Sequence, residues 1–358
     1  MSYYSGKLHA YGIREVLVES GVEIQRETDT RITYKCPFCG DRKGKGDASI
    51  EKDIYHCYKC SESGYLFEMY AKVAGVTNAE AKKYLEKKYD NGADIEGYAI
   101  AKKAAAKHYE PNIAADAQLN SVYTEYLSML RLDPVHRANL IKRGLSDEFI
   151  RANGYKSVPV IGSSYYPRAL EARGYSLKGV TGFYRKGDAW RTKSALSGFY
   201  VPTRNLNGEI CSMQIRTDYN ENRYITFSSS GMPSGADLRS AMHFVGVPSD
   251  GEVHGIYLTE GALKADVAHC LSGKPFCSIP GVGNFRALRK GLEEMRSSAR
   301  FANTQIVLAT DMDDEENPFV KKNVEKIKEI LLEYKFPAQQ LRWDPKYKGV
   351  DDFFLSLR

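Results

Sequence analysis

The sequence predicts a multidomain α+β protein, and three features of the 358-residue chain support this fold class. Four cysteines near the N-terminus form two C-x-x-C pairs, which indicate a small module built around a metal ion. Between residues 182 and 247, short alternating hydrophobic runs separated by glycine-rich turns predict β-strands. Beyond residue 252, apolar runs alternate with helical patterns, which predicts an α/β domain with a mainly parallel sheet.

The cysteine pairs predict a zinc ribbon over residues 1–90. Cys36-Pro37-Phe38-Cys39 is followed, after seventeen residues, by Cys57-Tyr58-Lys59-Cys60. This spacing is typical of a structural Zn²⁺ site, where each knuckle directs two thiolates at one tetrahedral ion. Because four cysteines complete the coordination, we expect His56 to lie outside the ligand shell. Basic residues that suit contact with nucleic acid or protein surround the knuckles: Arg42, Lys43, Lys45, Lys52 and Lys59.

Helical periodicity continues on both sides of a predicted linker. Apolar spacing predicts helices over residues 11–19, 66–73 and 79–89. Residues 91–118 lack an apolar stripe, and we interpret them as a linker. Helical spacing returns from Leu119 to Gly144, and Ser146 can cap a following helix. We therefore expect a linker and helical segment over residues 91–155.

Residues 156–250 are predicted to form a mixed α/β subdomain with a basic surface. Asn207-Gly208 between two hydrophobic runs predicts a tight hairpin. From Arg173 to Arg216 there are eight lysines and arginines, two acids and six interleaved aromatic residues. Basic side chains pair with phosphates and aromatic rings stack on unpaired bases, so we expect contact with nucleic acid. A solvated surface over a β-rich core is the alternative.

In residues 251–358 the apolar runs end in carboxylates. The run at 255–258 leads into Glu260, the run at 305–309 leads into Asp311 and Asp313, and Asp351 follows near the C-terminus. Carboxyl ends of parallel strands meet at one sheet edge, where a hard cation such as Mg²⁺ or Mn²⁺ can hold clustered acids. This predicts a metal-dependent phosphoryl-transfer site, whereas the alternative is a set of solvated loop acids. Helices are predicted over 262–271, 285–295 and from Pro318, with a further strand over 276–279.

Composition excludes several classes of protein. No apolar run approaches the roughly 18–20 residues that a membrane span needs. The first residues contain no apolar signal core, and paired cysteines in C-x-x-C form favour metal binding over disulfides. We therefore expect a cytoplasmic protein without a membrane partner. The net charge of +6 is modest, so the local basic stretch is more informative than the total.

Taken in order, these blocks resemble DNA primases of the bacterial DnaG type, particularly the short forms of phages and mobile elements. The zinc block carries the first part of the resemblance. Val201-Pro202-Thr203-Arg204-Asn205, Gln214-Ile215-Arg216 and Arg223-Tyr224-Ile225 look like the basic half of the polymerase core. Glu260-Gly261 and Asp311-Met312-Asp313 look like the motifs of the TOPRIM domain that primases share with topoisomerases.

The resemblance implies roles for individual residues. Divalent metal is expected on Glu260, Asp311, Asp313 and Asp351, of which the first three are the expected catalytic residues. Glu260 is alternatively a proton acceptor for the 3′-hydroxyl. Contacts with template or incoming nucleotide are expected from Arg204, Arg216, Arg223, Tyr224 and Lys348.

The chain departs from the family pattern in two places. DnaG-type enzymes often carry an aspartate four residues after the glutamate, whereas this chain has Lys264 there and Asp266 two residues later. Asp351-Asp352 matches the last acidic motif only loosely. No helicase domain is recognisable, so we expect the replicative helicase to be a separate chain.

The function expected from the sequence is synthesis of short RNA primers from ribonucleoside triphosphates on single-stranded DNA. The sequence leaves two alternatives to this function open. One is a TOPRIM nuclease or topoisomerase-like enzyme, for which none of the 25 tyrosines stands out as a nucleophile. The other is a non-catalytic replication accessory that binds single-stranded DNA, which Lys264 favours and the intact acids oppose.

Overall fold

The chain consists of two units, residues 1–110 and residues 111–358. No helix in the part of the chain that the structure describes is long and apolar enough to cross a membrane. The predicted domain boundaries at residues 90, 155 and 250 remain predictions. The computed structural model describes residues 2–4, 7–9, 11–60, 62–89, 113–159, 161–192, 197–219, 223–230, 232–236, 239–312 and 318–358.

The first unit is built on a five-stranded antiparallel sheet in the order β3-β4-β5-β6-β7, beside a separate two-stranded hairpin of β1 and β2. The strands β5 and β6 form a hairpin around residues 51–53. The elements are β1 (Ser2–Tyr4), β2 (Lys7–His9), α1 (Ile13–Glu19), β3 (Ile24–Glu27), β4 (Arg31–Tyr34), β5 (Gly46–Ser49), β6 (Ile54–Cys57), β7 (Ser63–Tyr65), α2 (Leu66–Ala74) and α3 (Asn78–Tyr89).

The helices of this unit cover one face of the sheet. Leu17 of α1 and Phe67 of α2 are fully buried with Tyr34 and Tyr55 of the sheet in one hydrophobic cluster. The α2 helix begins where Glu68 accepts the Tyr65 backbone N–H at 2.8 Å, which satisfies one of the free donors of the first turn. The unit therefore has a hydrophobic core of its own.

The second unit begins with helices that pack on an antiparallel sheet of order β13-β12-β11-β8. The elements are α4 (Asp116–Ser128), α5 (Pro134–Lys142), α6 (Asp147–Ala152), β8 (Lys156–Ser157), α7 (Tyr165–Ala172), β9 (Phe183–Lys186), β10 (Ala189–Thr192), β11 (Gly198–Arg204), β12 (Ile210–Thr217) and β13 (Tyr224–Thr226).

The helical segment predicted from Leu119 to Gly144 is two helices, with a break after Ser128. Pro134 lacks a backbone N–H and restricts the preceding residue, so a helix ends before it and a new one begins at it. Asp133 caps the new helix by accepting the Val135 N–H at 2.8 Å. The predicted cap at Ser146 is present, since its hydroxyl accepts the Phe149 N–H at 3.1 Å.

The predicted hairpin at Asn207-Gly208 joins β11 and β12, and both faces of the resulting sheet are covered. Tyr200 belongs to the cluster that packs on α4, whereas its neighbour Phe199 belongs to the cluster on the other face. This alternation follows from the two-residue period of a strand.

The last part of the chain forms a five-stranded sheet of order β14-β16-β15-β17-β18, in which only β14 runs antiparallel to its neighbour. The predicted mainly parallel sheet is therefore confirmed. The elements are β14 (His243–Val245), β15 (Gly255–Glu260), α8 (Ala262–Ser272), β16 (Phe276–Ile279), α9 (Phe285–Arg296), β17 (Gln305–Leu308), α10 (Pro318–Glu333), β18 (Ala338–Gln340) and α11 (Val350–Ser356), with a 3₁₀ turn at Ala299–Phe301.

Helix α8 connects this parallel sheet to the antiparallel one. Leu263 and Val267 pack in the same cluster as Phe199 of β11. Ala265 and Ala268, on another side of the helix, pack with Phe276 of β16. The first turn of α8 is thereby fixed at the carboxyl end of β15, where the predicted acids lie.

Candidate functional sites

The four predicted zinc ligands lie together in the first unit. The Cys36 and Cys60 sulfurs are 3.8 Å apart, those of Cys39 and Cys57 are 3.9 Å apart, and all four lie within 4.8 Å of one another. Four sulfurs about 2.3 Å from a tetrahedral zinc ion are separated by about 3.8 Å, so the cluster has the dimensions of a closed Zn²⁺ site. The predicted structural zinc therefore fits these residues.

Backbone hydrogen bonds hold the knuckles in place. Asp41, after the first knuckle, accepts the Lys43 and Lys45 N–H groups at 3.0 and 2.5 Å. The Lys59 N–H points at the Cys57 sulfur at 3.4 Å, an arrangement that stabilises a thiolate. His56 is not part of the cysteine cluster, as predicted, and its ring packs edge-on against Tyr58.

Two of the predicted acids meet at the carboxyl edge of the parallel sheet. β15 and β17 are adjacent parallel strands, with Leu258 paired to Leu308. Glu260 is the last residue of β15, and Asp311 follows β17 by three residues. Their side chains are 17% and 14% exposed, so both are largely removed from water.

Lys264 lies between these acids. It occupies the first turn of α8, and its ammonium forms an ion pair with Asp311 and lies 3.9 Å from the Glu260 Oε2. Burial disfavours the charged ammonium, but the carboxylates of Glu260, Asp311 and Asp351 outweigh this effect and raise the pKa of Lys264. Lys264 is therefore a fixed positive charge inside the acidic group.

The third acid, Asp351, approaches from the C-terminal segment. The Met312 N–H donates to the Lys348 carbonyl at 3.0 Å, which ties this segment to the loop after β17. A Cβ on Gly349 would lie 2.3 Å from the Asp351 Oδ1 and 3.3 Å from the Lys264 Nζ, so both groups adjoin the bare glycine. The sequence pattern alone gave Gly349 no role, although a glycine two residues before the acidic pair was a signal.

Asp351 is an acid in an unfavourable environment. Burial raises its pKa, and the nearby Lys264 opposes that shift only in part. Its Oδ1 atom is buried and has no hydrogen-bond partner among the described residues. A buried carboxylate oxygen of this kind, in the electrostatic neighbourhood of Asp311, is the type of ligand that Mg²⁺ and Mn²⁺ prefer.

Two other predicted site residues are Asp313 and Lys348. Asp313 lies outside the described residues, so its place in the site remains a prediction. Lys348 is exposed beside the acidic group. Within the described ranges, the four cysteines are the one group of three or more metal-ligating side chains close enough to hold an ion as they stand.

Asp266, two residues after Lys264, is buried away from solvent. Its carboxylate accepts hydrogen bonds from the Tyr155 hydroxyl and, at 3.0 Å, from His243 Nε2. The His243 Nδ1 accepts the Arg204 N–H at 2.9 Å, which fixes the proton on Nε2. Burial and the Asp266 carboxylate raise the pKa of Tyr155, so it remains a neutral donor. Asp266 therefore joins α8 to the antiparallel sheet.

The predicted phosphate-binding arginines occupy different environments. Arg204 donates to the carbonyls of Gly208 and Asn153 at 2.7 and 3.3 Å, and burial lowers its pKa. Arg216 lies on β12, on the face opposite the core residue Ile215, and its guanidinium lies 5.7 Å from the Phe199 ring. Arg204 thus serves the packing of the subdomain, whereas Arg216 is half-buried and its Nε has no hydrogen-bond partner among the described residues.

Arg223 and Tyr224 lie beside Arg216 at the edge of the antiparallel sheet. Tyr224 is paired with Arg216 across β12 and β13. Both Arg223 and Tyr224 are exposed, and the tyrosine ring is 46% accessible. This edge of the sheet therefore carries basic side chains and one accessible ring, and their contact with template or nucleotide remains a prediction.

Most aromatic residues of the basic stretch are not available for stacking. Phe183, Trp190, Phe199 and Tyr200 are all at least nine-tenths buried. The expectation that they offer faces to bases is wrong for these four, because each ring packs into a hydrophobic core cluster of the second unit. An open cavity of about 450 Å³ remains beside Trp190, lined also by Tyr175, Lys178 and Arg185.

Comparison with known families identifies each end of the chain separately. Residues 8–99 match the CHC2 zinc finger model, and residues 250–357 match a domain of unknown function, DUF3854. No curated protein is similar to the chain in sequence. The first match confirms the zinc ribbon and, with the cysteine geometry, the structural Zn²⁺.

Two solved structures share the fold. The Aquifex aeolicus primase, comprising zinc-binding and RNA polymerase domains, is 14% identical with a TM-score of 0.50, covering 97% of this chain and 80% of that one. The RNA polymerase domain of Mycobacterium tuberculosis primase DnaG, crystallised with a double-stranded DNA oligomer bearing a 6-nucleotide overhang, is 13% identical with a TM-score of 0.50, covering 68% and 78%. The resemblance to DnaG-type primases and the predicted α+β fold class are thereby confirmed.

Proposed function

We propose that this chain, which has the CHC2 zinc finger and the fold of DnaG-type primases, is a DNA primase that joins ribonucleoside triphosphates on a single-stranded DNA template. The observation that carries the proposal is the convergence of Glu260, Asp311 and Asp351 at the carboxyl edge of the parallel sheet. In open α/β folds, this edge is where ligands bind.

The acidic group suits nucleotidyl transfer. Glu260, Asp311 and Asp351 would hold a divalent cation through their oxygens, with Asp313 as a further proposed ligand. When bound, Mg²⁺ or Mn²⁺ neutralises the charge that develops on the triphosphate. The carboxylates would hold the cation in a largely buried site, where electrostatic stabilisation is stronger than in water.

The basic edge of the antiparallel sheet supplies the proposed path for template and nucleotide. Arg216 on β12 is paired with Tyr224 on β13, and Arg223 directly precedes β13. A guanidinium suits phosphate oxygens, and the accessible Tyr224 ring suits a base. The zinc ribbon, with its surrounding lysines, is a second proposed contact with DNA, and a replicative helicase on a separate chain is the proposed partner.

A gel assay tests the proposal. Full-length protein is incubated with single-stranded DNA, labelled NTPs and Mg²⁺ or Mn²⁺, and we expect short RNA products that require both template and metal. Cleavage of the DNA in place of synthesis would support a TOPRIM nuclease instead. DNA binding without either product would support an accessory protein, a function that the lysine inside the acidic group favours.

A further inference from the structure

The acidic group contains its own cation. Lys264 is held in the first turn of α8, a helix fixed on both sides by the packing of Leu263 and Ala265. Its ammonium contacts Asp311, lies 3.9 Å from Glu260 and adjoins Gly349, which also borders the Asp351 carboxyl. The three carboxylates thus come from three separate segments and share one ammonium.

We propose that the Lys264 ammonium takes the place of one divalent cation, so that this site binds a single Mg²⁺ or Mn²⁺ and not a pair. Sites for phosphoryl transfer commonly hold two metal ions about 3.5–4 Å apart. Here the Lys264 ammonium already fills the space between Glu260 and Asp311. The single divalent cation would bind on the Asp351 side, where the buried Oδ1 has no hydrogen-bond partner among the described residues.

Charge and desolvation explain why the Lys264 ammonium can take the place of one divalent cation. One ammonium among three carboxylates neutralises part of their repulsion without dehydrating a metal ion, so the cluster can form before metal binds. The same ammonium repels a second divalent cation at this distance, which lowers that cation's affinity. The lysine ammonium is a compact point charge, so its shape is closer to that of a metal ion than the planar guanidinium of arginine is.

This inference deepens the proposed function and rests on it for its biological meaning, but its test measures metal binding directly. Zinc-loaded full-length protein is titrated with Mn²⁺, and bound ion is counted by electron paramagnetic resonance. We expect about one Mn²⁺ per chain in the wild type and about one more in Lys264→Met. The first ion should bind to Lys264→Met at least about tenfold more tightly than to the wild type. Lys264→Arg, which keeps the charge, is the matched control and should retain one ion.

Thermal unfolding provides the second measurement. In buffer without Mg²⁺ or Mn²⁺, and with the structural zinc still bound, Lys264→Met should melt at a lower temperature than the wild type, because the carboxylates lose their counter-ion. Addition of Mn²⁺ should restore the lost stability. Equal Mn²⁺ counts and affinities in wild type and Lys264→Met would overturn the proposal. A loss of stability that Mn²⁺ does not repair would do the same, since it would make Lys264 a packing residue. Failure of primer synthesis by the wild type would instead count against the proposed function.

Discussion

At the scale of single residues, the acidic group depends on charges that are costly to bury. Glu260 and Asp311 are largely removed from water, and each lies near the Lys264 ammonium. Such groups are tolerated only where a partner compensates their desolvation. Because three carboxylates share the one ammonium, neutralising one of them leaves Lys264 with other partners, so the change should affect the chemistry of the site more than the fold.

Charge-removing substitutions test the role of these acids. Asp311→Asn and Glu260→Gln keep side-chain shape, and we expect each to lower the rate of primer synthesis by a factor on the order of 10²–10³ with the fold retained. Asp351→Asn should cause a comparable loss if this acid holds metal, whereas a loss below about tenfold would make it a loop acid. Asp344→Asn, at an exposed acid of the same C-terminal segment, is the control. Wild-type synthesis by both Asp311→Asn and Glu260→Gln would place the site elsewhere.

The half-buried Arg216 gives a prediction about DNA binding. Arg216→Ala should weaken binding to single-stranded DNA and reduce the slope of log affinity against log salt by about one phosphate contact. Arg137→Ala, at an exposed arginine paired with Asp147, serves as the matched control. An unchanged slope, measured by fluorescence anisotropy over a salt series, would make Arg216 a surface residue without contact to phosphate.

At the scale of elements, close approaches between segments decide the site. Where the C-terminal segment reaches the acidic group, the bare Gly349 leaves room for the Asp351 carboxyl and the Lys264 side chain, and its φ of −103° is compatible with any residue. The effect of a side chain there would be purely steric, in contrast to the strain that follows at glycines with positive φ.

Gly349→Ala should therefore displace the Asp351 carboxyl and the Lys264 ammonium. Because a Cβ cannot lie 2.3 Å from an oxygen atom, we expect at least about a tenfold loss of synthesis with nearly unchanged melting temperature. Gly255→Ala is the control, since a Cβ there meets its nearest atom at 3.9 Å, an ordinary contact. Full activity in Gly349→Ala would show that the segment can move without cost to the reaction.

The buried link between α8 and the antiparallel sheet gives a stability prediction. Tyr155→Phe removes a donor to the buried Asp266, which should cost roughly 1–3 kcal/mol. Both tryptophans, Trp190 and Trp343, belong to the second unit, so tryptophan fluorescence during urea unfolding reports on that unit alone. Tyr165→Phe, at a tyrosine that is 67% exposed, should leave the midpoint unchanged. Equal midpoints for both variants would mean that water replaces the lost hydrogen bond.

At the scale of the whole molecule, the chain has two units with separate hydrophobic cores. Structural zinc contributes folding free energy to the unit that binds it, because the ligands are not assembled in the unfolded chain. Stability should therefore respond to zinc in one unit and not in the other.

Cys57→Ser tests this independence. We expect loss of bound zinc and unfolding of the first unit, while the tryptophan fluorescence transition of the second unit is unchanged. Cys270→Ser, at a cysteine outside the cluster, should keep about one zinc per chain by elemental analysis. Retention of zinc by Cys57→Ser, or a shifted tryptophan transition, would contradict the prediction.

Several features could be predicted from the sequence because their signals are local. The C-x-x-C spacing determined the zinc ribbon, Asn207-Gly208 determined a hairpin, and apolar runs ending in Glu260 and Asp311 determined the edge of the parallel sheet. Each signal lies within a few residues of the structure that it specifies, so periodicity, turn chemistry and ligand geometry suffice to interpret it.

Only the tertiary structure decided how distant segments share charge and space. Lys264 and Asp266 stood in the sequence as departures from a family pattern, yet one is the cation of the acidic group and the other binds Tyr155 and His243. Likewise, four aromatic residues of the basic stretch became core because distant segments pack against the strands that carry them: Phe183, Trp190, Phe199 and Tyr200. Burial and ion pairing depend on which segments pack together, and that packing is settled by the whole fold and not by local sequence.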